Sequence, residues 1–137
     1  MNKRLIAGMM LCLSIGTGYA ANRVPENGYG IVPMPYEAKA KGGAPFVVTK
    51  ETVIVARAAE TKQCATYLQQ RLFQSCGLVL KRKGTTRDKA IVLEVSEDAV
   101  AFSENDAYRL ESSADTITIA AKTERGLFYG VQTLLQL

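Results

Sequence analysis

Glu97 and Asp98 are the one adjacent pair of acidic residues in the 137-residue sequence. Two carboxylates are the equipment of glycoside cleavage, one protonating the leaving oxygen while the other acts as base, nucleophile or orienting group. That division of labour requires surroundings that push the two pKa values apart. Glu97-Asp98 stand in the polar stretch from Ser96 to Asp106, where nothing supplies such surroundings, so they read as a solvated loop. Lys81-Arg82-Lys83, with Arg87 and Lys89, form a basic cluster that could meet an acidic polymer. No aromatic side chains interleave with it and acidic residues follow soon after, so it reads as a solvated strand end and turn. The sequence contains no histidine, which removes Ser-His-Asp and Cys-His nucleophile systems and the commonest zinc ligand. It also lacks a Gly-x-x-x-x-Gly-Lys-Ser/Thr phosphate loop. Cys64 and Cys76 lie twelve apart in one predicted helix, roughly 18 Å by helical rise. A disulfide between them is therefore excluded, and both are expected to be small buried hydrophobes. On these grounds no catalytic residue, cofactor site or metal ligand is assigned to any position.

The elements that would position any such groups follow from periodicity. Phe46–Thr49 and Thr52–Ala56 read as short strands joined by a tight Lys50-Glu51 link. Ala58–Ser75 is an amphipathic helix, with Ala58, Thr61, Cys64, Ala65, Leu68, Leu72 and Cys76 within about 120° of arc, and Gly77 supplies its stop. Leu78–Arg82 and Ala90–Val95 read as strands, the second with Ile91, Leu93 and Val95 on one face. Lys83–Asp88 is a polar turn, and Val100, Ala101 and Phe102 form a short apolar anchor in the irregular stretch that follows. Tyr108 and Leu110 alternate with Arg109 and Glu111, Ser112–Asp115 turns, and Ile117 and Ile119 alternate with Thr116 and Thr118. That is a hairpin signal. A final helix runs from Thr123, with an apolar stripe of Leu127, Val131, Leu134 and Leu135 beside Gly126 and Gly130. The two glycines each cost about 1 kcal/mol of helix propensity relative to Ala, so close packing of the backbone is the expected reason for them. The fold class is α+β: a mixed sheet of five to six strands, the first helix in a crossover between strands, and two helices packed on one face.

Residues 1–20 have the anatomy of a secretory signal peptide. Lys3 and Arg4 precede an apolar run from Leu5 to Ile15, and Gly18-Tyr19-Ala20 offers small residues before a cut. The run is shorter than the ~20 residues of a spanning helix, and Leu11 before Cys12 is not the small residue of a lipidation site. Export to the periplasm or the extracellular space is expected, with no membrane attachment after cleavage. Loss of Lys3 and Arg4 takes seventeen basic residues to fifteen against thirteen acidic, so the formal charge of +4 overstates the basicity and no nucleic-acid partner is implied. Residues 21–44, rich in Gly and Pro, form an extended lead-in segment, and residues 45–137 form the domain.

The string Tyr108-Arg109-Leu110, then Ile117-Thr118-Ile119-Ala120-Ala121, then Gly126-Leu127-Phe128-Tyr129-Gly130-Val131-Gln132-Thr133-Leu134-Leu135-Gln136-Leu137 resembles the end of the N-terminal domain of family 20 glycoside hydrolases, the β-N-acetylhexosaminidases. Ile31-Val32-Pro33-Met34-Pro35 is similar to the Pro-rich start of that domain. The resemblance implies a non-catalytic domain set against a following (β/α)8 barrel that cleaves terminal N-acetylhexosamine residues. In that family an Asp-Glu pair behind a His-x-Gly-Gly stretch does the work, the Glu as acid and the Asp orienting the substrate's own N-acetyl group. With no His, no Trp and only the reversed order Glu97-Asp98, none of those roles carries over to a position here.

The final helix ends without a Gly, Pro or basic residue after its apolar stripe, so the chain reads as the front part of a longer protein, inactive alone and partnered in cis by a barrel beyond Leu137. Leu127, Val131, Leu134, Leu135 and Leu137 are expected to leave an apolar strip that drives self-association. Two alternatives stand beside this reading. One is a free-standing carbohydrate-binding module that uses Tyr29, Tyr36, Tyr67, Tyr108 and Tyr129. The other is the equivalent domain of an α-glucuronidase or a family 84 glycosidase.

Overall fold

The computed structural model describes residues 30–40, 42–83, 88–101 and 103–137. The predicted signal peptide, Tyr29, Phe102 and Gly84–Arg87 of the predicted turn lie outside them. Strand β1 (Val53–Ala56) leads through a 3-10 turn (Ala59–Thr61) into helix α1 (Lys62–Cys76). Strands β2 (Lys81–Lys83), β3 (Ala90–Val95), β4 (Tyr108–Ser112) and β5 (Thr116–Ala121) follow, and helix α2 (Glu124–Leu134) comes last. The described sheet has five strands in the order β2-β1-β3-β5-β4, parallel except for the β4–β5 hairpin.

Strand alternation sorts the side chains by face. Register pairs Ile54 with Ile91, Ile91 with Ile117 and Leu93 with Ile119, and these residues form the main core with Cys64, Ala65 and Leu68 of α1 and Leu127 and Val131 of α2. Both helices therefore cover the same face of the sheet, in two layers. Val53, Val55, Ala90 and Val92 form a smaller cluster on the other face, where no helix lies among the described residues. Complete burial of a Leu or Val side chain contributes about 1.5–3 kcal/mol, and Leu68, Leu127 and Val131 are fully buried.

Local signals fix the helix ends. Gly77 adopts φ +70° and its N–H donates to the Phe73 carbonyl at 2.8 Å, closing α1 in the left-handed conformation that glycine takes without strain. Thr123 caps α2: its Oγ1 accepts from the Gly126 N–H at 3.1 Å and donates to the Asn105 carbonyl at 2.6 Å. The side chain of Arg125 pairs with Asp106 in the same loop.

Four expectations change. Phe46–Thr49 is not a strand. The Thr49 N–H is taken by Thr52 Oγ1 at 2.9 Å, and the Thr49 carbonyl accepts from the Thr52 N–H at 3.0 Å. These local bonds satisfy the backbone in place of a ladder, while Phe46 and Val48 still pack on the core. The strand expected over Leu78–Arg82 begins only at Lys81, because Gln69 Nε2 donates to the Leu80 carbonyl at 2.7 Å. Cys76, expected inside, is exposed: it is the last residue of α1, where residues 73–77 are all exposed, and its thiol donates to the Leu72 carbonyl. The apolar strip expected along α2 is largely covered within the chain. Leu127 and Val131 are fully buried, Leu134 and Leu135 pack on the core, and only Leu137 is exposed.

The two α2 glycines are required by close approach. A Cβ at Gly126 would stand 2.8 Å from the Ala107 carbonyl oxygen, and one at Gly130 would overlap the Ile119 Cγ2 methyl. Gly126→Ala and Gly130→Ala are each expected to destabilise in urea denaturation by about 1–3 kcal/mol of overpacking, partly offset by the gain in helix propensity. Ile119→Ala is expected to cost less in the Gly130→Ala background than in the wild type, since the same methyl is removed from the clash.

Candidate functional site

The residues singled out for chemistry are dispersed. Glu97 and Asp98 are both exposed in the loop after β3, and the Asp98 N–H reaches Ser96 Oγ at 3.4 Å. The basic cluster is split by strand alternation. Lys81 and Lys83 pair in register with Val53 and Val55 on the helix-free face, whereas Arg82 pairs with Ile54 and reaches Thr66 Oγ1 of α1 at 3.2 Å. Lys89 is exposed at the start of β3, at φ +51°, and Arg87 lies outside the described residues.

The described tyrosines are spread over several elements, and Tyr29 lies outside the described residues. Tyr36 is exposed on the lead-in segment. Tyr108 lies between the sheet and α2, with its hydroxyl 2.5 Å from Thr133 Oγ1. Tyr67 and Phe128 meet across the helix layer at a ring separation of 5.2 Å, and the Tyr67 hydroxyl accepts from Gln132 Nε2 at 3.0 Å. Tyr129 lies next to Phe128, partly exposed.

Two concavities open on the described surface. One, of about 460 Å³, lies on the helix-free sheet face beside Val55, Arg57, Val92, Thr116 and Thr118, and its one carboxylate is Glu94. The other, of about 600 Å³, lies between the helices beside Gln63, Cys64, Tyr67, Arg125 and Phe128, and its one carboxylate is Glu124. Neither of these two brings two carboxylates together among the described residues. Among the described residues no group of three or more His, Cys, Asp or Glu side chains is placed to hold a metal ion, and no helix is long and apolar enough to cross a membrane.

The profile of "Glycosyl hydrolase family 20, domain 2" matches residues 28–137. The chain belongs to this family. It is the non-catalytic N-terminal type of domain that family 20 enzymes carry. It is 28% identical over 142 residues to a beta-hexosaminidase of Porphyromonas gingivalis, covering 98% of this chain and 18% of that protein. The GH20 beta-N-acetylhexosaminidase of Streptomyces coelicolor A3(2) superposes with a TM-score of 0.66 at 30% identity, over 76% of this chain and 20% of that one. The N-acetyl-beta-hexosaminidase of Streptomyces plicatus, solved with Thio-NAglucal, gives 0.68 at 31% identity, over 78% and 21%. The chain thus spans about a fifth of the length of the relatives it matches.

Among the described residues of this family 20 domain one group is strongly perturbed, and its role is structural. Cys64 is 3% exposed, and burial, with the nearby charge of Glu124, pushes its thiol from 9.0 up to about 11. Its Sγ lies 3.8 Å from the Glu124 carbonyl oxygen, joining α1 to the first turn of α2. A neutral thiol belongs in such a place, so the raised pKa marks packing and not a nucleophile. Mild alkaline alkylation of the native chain is expected to modify Cys76 and spare Cys64 until denaturant is added, as read by peptide mass mapping. Below pH 9.0 the thiol is neutral folded and unfolded alike, and its contribution to stability is complete. As the pH rises from there to about 11 the unfolded state alone loses the proton, and stability falls by about 1.4 kcal/mol per pH unit. Cys64→Ala is expected to lack that component, seen as a smaller loss of urea midpoint over the same window.

Proposed function

We propose that this chain is the scaffold domain of an exported β-N-acetylhexosaminidase, whose chemistry resides in a (β/α)8 barrel following it in cis. The observation that carries the reading is the family 20 domain 2 match over residues 28–137. The separation of Glu94 from Glu124 on opposite faces of the sheet agrees with it, since cleavage of a terminal N-acetylhexosamine needs two carboxylates at one sugar. The domain buttresses the barrel through the α2 side and one face of the sheet. Export rests on Lys3, Arg4, the apolar run from Leu5 to Ile15, and Gly18-Tyr19-Ala20. The division into a leader (1–20), a lead-in segment (21–44) and the domain (45–137) belongs to the same proposal.

A chromogenic N-acetylglucosaminide separates this reading from an autonomous enzyme. The purified chain is expected to give no turnover. A fusion in which it replaces the matched domain of the Streptomyces coelicolor enzyme is expected to turn the substrate over. Hydrolysis by the isolated chain, abolished by Glu94→Gln or Glu124→Gln, would overturn the proposal.

A further inference from the structure

Strands β1 and β3 lie side by side and parallel inside the sheet, but the chain leaves them in opposite directions. After β1 it passes through α1 to β2 on one side; after β3 it goes to β4 and β5 on the other. Where neighbouring parallel strands send their connections apart, a crevice is left outside their carboxyl ends, and open sheets bind ligands there. The concavity of about 460 Å³ on the helix-free face coincides with that point. Arg57 and Thr61, which follow β1, line it together with Glu94 and Ser96 at the end of β3. Its volume is in the range of small-molecule sites, which join an apolar lining to a few polar groups.

Strand register arranges that lining. Val55, Val92 and Thr118 stand in one cross-strand row. Ala56 pairs with Leu93, so the next residues, Arg57 and Glu94, follow side by side beyond that row, about one strand spacing (~5 Å) apart at the backbone. Both are exposed. One positive and one negative group thus adjoin an apolar floor. Arg57 also has an interaction within the chain, so a ligand must compensate for any bond that it displaces. Electrostatics selects the class of ligand able to do so. A simple carboxylate drawn to Arg57 would stand beside Glu94, and a simple amine drawn to Glu94 would stand beside Arg57. Each attraction would be opposed by a like charge. A molecule with both groups on one carbon meets each with its opposite, and an aliphatic substituent on that carbon meets the valines.

We infer that this crevice binds a free α-amino acid with an aliphatic side chain. Arg57 takes the carboxylate, in the paired geometry that a guanidinium offers. Glu94 takes the ammonium group, and Val55 and Val92 take the side chain. Every residue of the site is in this chain, so the inference stands apart from the scaffold reading.

NMR titration of the whole chain with L-leucine tests it. Saturable shifts are expected at the amides of Arg57, Glu94, Ser96 and Thr118, with a Kd of about 1–10 mM. 4-Methylpentanoate, which lacks the ammonium group, and 3-methylbutylamine, which lacks the carboxylate, are expected to bind about tenfold more weakly, as is myo-inositol, which has neither. Arg57→Gln and Glu94→Gln are each expected to weaken leucine binding roughly fivefold through loss of a charge-assisted hydrogen bond. Arg109→Gln, on the same face outside the crevice, is expected to leave it unchanged. Absence of shifts up to ~100 mM leucine overturns the inference. Equal binding of the acid, the amine or the inositol removes the amino acid as the ligand. An Arg109→Gln effect as large as that of Arg57→Gln removes the assigned roles. If a Gln variant does not fold, the ligand series on the wild-type chain still decides.

Discussion

The structure depends on how closely α2 approaches the sheet. Gly130 faces the Ile119 methyl with no room for a Cβ between them, and Gly126 faces the Ala107 carbonyl and the Ala121 side chain. That approach lets Leu127 and Val131 bury completely against β3 and β5. Close packing of this kind transmits misfit directly, because protein interiors leave no slack for an added methyl group. The neighbouring bonds act on the same seam. Thr123 caps the helix and holds Asn105, Arg125 holds Asp106, and Tyr108 meets Thr133. The irregular loop before β4 is thereby fixed through α2, and the hairpin is fixed through the loop.

With both helices on one face, the polar groups of the domain are kept apart by the sheet itself. Glu94 opens on one side and Glu124 on the other. The basic strand β2 is divided the same way, Lys81 and Lys83 on one face and Arg82 on the other. Strand alternation thus distributes the charged side chains between the two faces.

Much of this was legible in the sequence where a single period governed a whole element. Ile91, Leu93 and Val95 announce the inner face of β3, and Tyr108, Leu110, Ile117 and Ile119 the inner face of the hairpin. Gly77 marks the end of α1, and the Gly126/Gly130 spacing marks close packing. The misreadings arose where side chains competed for backbone groups or where packing over distance decided burial. Thr52 and Gln69 withdraw Thr49 and Leu80 from the ladder, which no propensity encodes. Cys76 lies on the correct stripe of α1 but is its last residue, in an exposed turn. The hydrogen bonds between Gln136 and Val32 join positions 104 apart, and one glutamine near a helix end carries no signal for them.

The helix-free face poses the remaining physical question, because Val53, Val55 and Val92 lie there without a covering layer among the described residues. The flanks of that face answer it in part. Strand β2 at one edge is only three residues long and fully exposed, with Lys81 and Lys83 directed to the same side as the valines. At the other edge β4 carries Arg109 and Glu111 on that side. Short, charged edge strands oppose pairing with another sheet, and long lysine side chains cover apolar surface with their stems while their charges stay in water. Thr116 and Thr118 finish the interior of the face with hydroxyls. The valines of that face are therefore bordered by charged edge strands and hydroxyls, which lowers the cost of leaving them without a helix above.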